Sequence, residues 1–439
     1  MIQTIDLRDR ARDRATLRRL IPRPVVDIDV ASTSARELIG DVAERGETAL
    51  LEQSERFDGV RPERVAVHAD EIAAAVAALD PAVRAALDEA IRRVRAASAA
   101  QVPVATRTEF GSGALVEQRW HPVERVGLYV PGGKAVYPSS VVMNVVPAQV
   151  AGVRSIALAS PAQRQYDGGV HPTILAAAGL LGISEVYAMG GAGAIGAFAH
   201  GVPSIGLEPV DIVTGPGNIF VAAAKRLVKG LVGIDSEAGT TEILVIADAA
   251  ADARLIAADL VSQAEHDEAA ASLLVTDSAP FAAAVEKELP AIVEATAHSD
   301  RVSTALAGPQ SAIVLVDDLE AAADFSNVYG PEHLELQVDD VAALLPLIHS
   351  AGAVFVGPHS PVSLGDYLAG SNHVLPTGGG ARFSSGLGAF TFLRPQQIIT
   401  YSETALETVA PHIVALSAAE DLPAHGEAVT ARFTPRPAD

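Results

Sequence analysis

A chain of 439 residues is too long for one ordinary core, so two or more packed units are expected. Its formal charge of −22 disfavours phosphate backbones and anionic membrane surfaces as partners, since both select clustered Lys and Arg. Cysteine is absent, which rules out disulfides, thiolate zinc sites, iron–sulfur clusters and the thiohemiacetal route by which many enzymes carry an aldehyde to an acid.

In chain order, Met1 to Leu20 carry Asp and Arg every few positions and lack the apolar stretch of a secretory leader. Ala69 to Ala99 read as two amphipathic helices divided at Asp80-Pro81, where Pro suits a helix start. From about Arg125 the pattern becomes strand and helix in alternation. Strands are expected over Val126 to Val130, Ser155 to Ala159, Glu185 to Met189 and Val210 to Val213. The helices between and after them fall over Ser140 to Ala151, Pro172 to Leu181, Ala194 to Ala199 and Asn218 to Val228. The apolar run Val141 to Val153 is interrupted by Asn144, Pro147 and Gln149 and is too short for a membrane span, so a cytoplasmic protein is expected. A second series starts at Thr241 to Ala247. It continues through a helix over Ala251 to Glu268 and strands at Ser272 to Val275, Ala312 to Val316 and Ala353 to Val356. The alternation predicts an α/β fold of two Rossmann-like open parallel sheets with small helical extensions at both ends. After about Phe383 the pattern loosens, with a helix near Tyr401 to Leu406 and a polar segment bearing Glu420 and His425.

Several motifs carry chemistry. Gly191-Ala192-Gly193-Ala194-Ile195-Gly196 spells GxGxxG between a predicted strand and helix, with Asp211 about 20 residues on, the spacing of a dinucleotide fingerprint. Gln263 and His266 stand three apart after an amphipathic run, so on a helix both face one spot; the bland alternative is a solvated helix face. Pro331-Glu332-His333-Leu334 offers an acid beside an imidazole, which is proton-transfer chemistry or an exposed helix end. Gly365-Asp366 opens a segment running to Asn372-His373-Val374-Leu375-Pro376-Thr377, where Asp366 is either a metal donor or a turn residue. Glu420 and His425 are further donors, or part of a solvated tail.

In this order and context the segments resemble histidinol dehydrogenase, the zinc enzyme that oxidises L-histidinol through L-histidinal to L-histidine with two NAD, the last step of histidine biosynthesis. The resemblance extends to Val126-Gly127-Leu128-Tyr129-Val130-Pro131-Gly132-Gly133, Thr214-Gly215-Pro216-Gly217-Asn218 and Glu237-Ala238-Gly239-Thr240-Thr241-Glu242, and so to nearly the whole chain. It implies Gln263, His266, Asp366 and His425 as metal ligands. A donor set with two His suits zinc, with Mn or Co as substitutes. It implies His333 as base in both half-reactions and Glu332 as the residue that activates water. Substrate contacts would be Thr241, Gln263, His266, His333, Asp366, His373, Glu420 and His425, and NAD contacts Tyr129, Asn218 and the position of Gly193. The family usually has Gln at 193 and Ser at 241, so both positions depart from its pattern.

The resemblance further implies a large α/β domain of residues 25–129 and 243–383, an inserted α/β domain of 130–242, and extensions of 1–24 and 384–439. It implies a homodimer with interlocked chains, in which Glu420 and His425 complete the other chain's pocket. Other readings stay open: a relative acting on another diol or amino alcohol, a zinc hydrolase with Glu332 activating water and an accidental GxGxxG, and a non-catalytic dimeric binding protein.

Overall fold

A computed structural model of the protein describes residues 2–10, 12–23, 28–132, 136–237 and 239–433. Gly133 and Ala238 of the motifs above, and the expected boundary between 24 and 25, lie outside the described residues. The chain forms two compact units, Met1–Gln101 with Val123–Phe392, and Val102–Pro122 with Leu393–Asp439.

Two parallel sheets organise the first unit. One has five strands, in the order Val186–Ala188, Ser155–Ser160, Arg125–Tyr129, Ile212–Thr214 and Gly233–Ile234. The other runs Gln3–Asp6, Ala312–Leu315, Ala271–Thr276, Glu242–Ala247, His333–Gln337 and Ala353–Val356. In each, the first strand of the βαβ series is central and the chain turns to its other side at the fourth, which leaves a switch point between first and fourth strands. The strand Gln3–Asp6 is an addition beyond that series. It pairs in parallel with Ala312–Leu315, so the N-terminal stretch supplies a strand as well as the helix Arg14–Leu20.

Alternation along the central strand Glu242–Ala247 explains why it reads as a continuous apolar run. Ile243, Val245 and Ala247 pack with Ile256 and Leu260 on one face, while Leu244 and Ile246 pack with Phe325, Leu334 and Leu336 on the other. Helices cover both faces, so neither set is solvated. The expected pair of early helices forms as Ala69–Ala78 and Pro81–Ala100. Asp80 caps the second by accepting from Ala82 N and Val83 N, and Pro81 occupies the first turn, where its missing N–H costs nothing.

The second unit is different in kind. Thr106–Glu109, Ala114–Pro122 and Leu393–Tyr401 make an antiparallel sheet, followed by helices Glu403–Ala419 and Pro423–Thr430. No described helix is long and apolar enough to cross a membrane.

Candidate active site

Glu332 and His333 stand where helix Leu319–Tyr329 gives way to the strand His333–Gln337. Gly330, with φ of 62°, ends that helix in the left-handed region that glycine tolerates, and Pro331 prevents its continuation. The pair is therefore not an exposed helix end: Glu332 is 7% exposed and His333 4%. Glu332 Oε2 accepts from the Thr241 hydroxyl at 2.6 Å and from Glu242 N at 3.0 Å. Burial pushes this carboxyl up to about 7, against the pull of those two hydrogen bonds and of nearby His266. His333 Nδ1 lies 3.1 Å from the Glu242 carbonyl oxygen. That oxygen can only accept, so Nδ1 carries the proton and Nε2 keeps its lone pair. Burial holds the His333 ring below the usual imidazole range, although Asp366 and Glu242 act the other way. A neutral base therefore sits beside a carboxyl poised near neutrality.

Three of the four expected metal donors belong to the same unit. Gln263 lies in the last turn of helix Ala253–Ala264, with Glu265 as its cap, so His266 lies past the helix. The helical spacing expected for this pair is corrected: a turn, with His266 N donating to Gln263 O at 3.3 Å, keeps them close instead. The Gln263 amide nitrogen donates to Thr241 Oγ1 at 2.7 Å, while its Oε1 is buried with no hydrogen-bond partner. An orphaned amide oxygen is costly unless something electropositive meets it, and a cation fits that position. Asp366 sits on the short helix Val362–Tyr367 and not in an open turn. Among the described residues no three His, Asp or Glu side chains of one chain form a metal-holding group. Glu420 and His425 belong to the second unit, at the end of helix Glu403–Ala419 and on helix Pro423–Thr430, and both are exposed.

His373 is held at both ring nitrogens. Nδ1 lies 2.9 Å from the Asp366 carbonyl oxygen and Nε2 3.0 Å from Ser140 Oγ, so Nδ1 donates and Ser140 donates to Nε2. Ser140 escaped the sequence reading because it lies 233 residues from its partner. Arg23, Glu242 and Tyr329 escaped it likewise. Glu242 Oε2 accepts from Arg23 Nη1 at 3.0 Å and Tyr329 OH at 3.1 Å, and the guanidinium lies 4.1 Å from the Tyr329 ring centroid. Burial pushes Glu242 up to about 7, and its backbone N–H and C=O orient Glu332 and His333.

The five-stranded sheet presents its carboxyl edge to the same region. Tyr129 ends the strand Arg125–Tyr129, and its hydroxyl accepts from Gly191 N at 3.2 Å. Asn218 follows Thr214 across the switch point and caps helix Ile219–Val228, its Oδ1 accepting from Phe220 N at 3.0 Å and Val221 N at 3.2 Å. Gly193 is buried in helix Gly191–His200, where a Cβ would lie 2.2 Å from Gln53 Oε1. Asp211 precedes the strand Ile212–Thr214, at the opposite edge from Gly191. Its Oδ2 accepts from Glu124 N at 2.8 Å and Arg125 N at 3.0 Å. Its spacing from GxGxxG therefore does not place it with a dinucleotide, which lies at the carboxyl ends of such strands.

One cleft of about 1780 Å³ joins these parts: Tyr129, Gly191 and Asn218 line it together with Thr241, His266, Glu332, His333, Asp366 and His373. The carboxyl edge of one sheet thus meets the amino edge of the other, where Thr241 and Glu332 precede their strands. A cofactor-sized groove on one side and proton-transfer groups on the other make an arrangement suited to hydride removal.

Comparison with known proteins shows the family. The histidinol dehydrogenase family model matches residues 21–433. The chain is 69% identical to the histidinol dehydrogenase of Leifsonia xyli over 99% of its length and 100% of that protein. It is 57% identical to that of Nocardia farcinica, over 98% of this chain and 97% of the relative. The crystal structure of histidinol dehydrogenase from Elizabethkingia anophelis superposes with a TM-score of 0.91 at 33% identity, covering 98% of each chain. The chain is an α/β oxidoreductase that belongs to the histidinol dehydrogenase family.

Proposed function

We propose that this protein oxidises L-histidinol through L-histidinal to L-histidine with two NAD in succession. The observation that carries the reading is the buried pair Glu332 and His333, a neutral imidazole with a free Nε2 beside a carboxyl near pKa 7, in a chain without cysteine. NAD supplies the hydride acceptor and a divalent cation, zinc above Mn or Co, supplies a positive anchor for the substrate's nitrogens. Gln263, His266 and Asp366, with His425 from a second copy, would hold that cation; the orphaned Gln263 Oε1 supports the assignment.

His333 Nε2 takes the hydroxyl proton as the alcohol is oxidised. With no thiol available, the aldehyde must add water, and Glu332 takes the water's proton through a carboxylate held by Thr241 and Glu242 N. After passing its first proton to solvent, His333 Nε2 removes the hydrate's remaining hydroxyl proton in the second oxidation. Thr241 both donates to Glu332 and accepts from Gln263, so it couples the water-activating acid to a metal ligand. Glu420 would meet the substrate ammonium from the partner chain, and His373 would meet a polar atom of the substrate by exchanging its Nε2 contact with Ser140. Tyr129, Asn218 and the backbone around Gly193 would receive NAD. The switch-point position of Tyr129 and Asn218 supports this placement. The division into a large domain of 25–129 and 243–383, an inserted one of 130–242 and two extensions belongs to the same proposal. So do the interlocked homodimer and a cytoplasmic location.

The test is stoichiometric. Purified protein given L-histidinol and NAD is expected to form two NADH per substrate, to lose activity on chelation and to regain it with zinc. One NADH per substrate would mean that the aldehyde leaves and that Glu332 does not activate water. No NADH with any alcohol would return the site to hydrolysis.

A further inference from the structure

Beneath the turn that carries Asn218 lies a buried ion pair with no part in the reaction just described. Lys225, on helix Ile219–Val228, is 1% exposed. Its ammonium pairs with Asp235, whose side chain is 4% exposed, and donates to the Gly215 carbonyl oxygen at 2.9 Å. Asp235 Oδ2 accepts from Gly215 N at 2.9 Å. One ion pair therefore holds both the N–H and the C=O of a single glycine. Gly215 has φ of 119°, and a Cβ there would lie 1.9 Å from the Tyr129 carbonyl oxygen, so the turn is pressed against the end of the strand Arg125–Tyr129.

Removing two charges from water is unfavourable, and well-packed apolar residues often stabilise as well or better. Stability alone therefore gives little reason for a lysine here. Geometry gives a better one. Lys225 stands seven residues after Asn218, two turns along the same helix, so the helix that Asn218 caps is tied back to the turn in front of it. Asp235 comes from the far side, just after the strand Gly233–Ile234 that pairs with Ile212–Thr214. The turn is fixed from both flanks at the switch point of the sheet.

We infer that Lys225 and Asp235 are positioning residues for the dinucleotide, clamping Gly215 so that the Gly215–Asn218 turn is set before NAD arrives. The inference rests on the reading that Asn218 contacts NAD. A preset turn lowers the ordering cost of binding, so its loss is expected to weaken NAD binding and leave the proton-transfer groups alone.

Two variants of the zinc-loaded dimer test this. Lys225→Met/Asp235→Asn removes both charges together and with them the donor to the Gly215 carbonyl, whereas Asp235→Asn alone keeps that donor and an acceptor for Gly215 N–H but leaves the Lys225 ammonium buried without its carboxylate. NAD affinity is measured by calorimetric titration alongside steady-state kinetics. The double variant is expected to raise Kd and KM for NAD by about tenfold or more, with KM for histidinol within about twofold and kcat at saturating NAD within about threefold. Asp235→Asn is expected to give a rise of about threefold. An unchanged NAD Kd in a variant that folds overturns the inference. Asn218→Ala separates the two levels: if it weakens NAD binding while the clamp variants do not, only the clamp fails. If Asn218→Ala also leaves Kd unchanged, the placement of NAD fails with it.

Discussion

Glu332 meets two opposed demands. In the proposed mechanism its carboxyl acts as a base, yet burial raises it to about 7 from an unfolded value near 4.5. Between those two pH values the native metal-free protein binds a proton that the unfolded chain has released, so stability falls as pH rises through that window and then levels off. A displacement of that size corresponds to about 3 kcal/mol. In metal-free protein Glu332→Gln is therefore expected to raise the denaturant midpoint at pH 8, by up to about 3 kcal/mol of stability, and to bring no gain at pH 4, where Glu332 is protonated in both states. An equal change at both pH values would show that the burial cost is not what the substitution relieves. In the loaded enzyme the same variant is expected to lose about 100-fold or more in histidinal oxidation, because an amide cannot take the proton from water. The acid and imidazole were legible in the sequence as a dipeptide. Their burial was not, because it depends on strands at 242–247 and 353–356 closing on either side.

Asn218 shows how an element can be readable while its tertiary use is not. A Gly-Pro-Gly-Asn sequence ahead of an apolar helix announces a cap, and the helix starts at Ile219 as that chemistry requires. Because Oδ1 is engaged by Phe220 N and Val221 N, only the amide nitrogen remains for a ligand. Asn218→Asp keeps the capping oxygen and adds charge favourable to a helix start, so the melting temperature is expected to hold. If Asn218 meets NAD as proposed, the change also removes the donor and sets a carboxylate against an anionic ligand, so KM for NAD is expected to rise about tenfold or more. A fall in melting temperature with unchanged KM would assign Asn218 to capping alone. Other boundaries escape local reading. The run Ser262-Gln263-Ala264-Glu265-His266 contains no Gly or Pro, yet the helix stops at Ala264. Arg301 from another helix donates to the part-buried Glu265 carbonyl at 3.0 Å, a contact no window of sequence contains. Gln3–Asp6 is a strand only through pairing with residues some 300 positions away, and its own charged neighbours conceal it.

At the scale of the whole molecule, two sheets of the same strand order present opposite edges to one cleft, and repetition of βαβ units in the sequence foretold the sheets but not their facing. What the first unit lacks is also informative. It brings His266 and Asp366 to the cleft, with Gln263 bonded to the cleft residue Thr241, which is one donor short of the expected set. The second unit carries Glu420 and His425 on its surface, along with Phe110, Ile399 and Leu416, which are 65%, 67% and 65% exposed. Large apolar side chains exposed to that degree on so small a unit suit a surface that another chain covers. If that chain is a second copy, every site takes Glu332 from one protomer and His425 from the other. Chains carrying Glu332→Gln and chains carrying His425→Ala are each expected to be inactive alone. Unfolded together and refolded at equal concentration, half of the dimers should be mixed, and each mixed dimer holds one site with both residues intact. The mixture is then expected to recover about a quarter of the parental activity. If both residues act within one chain, every site in the mixed dimer contains one substitution, and the refolded mixture stays as inactive as its components.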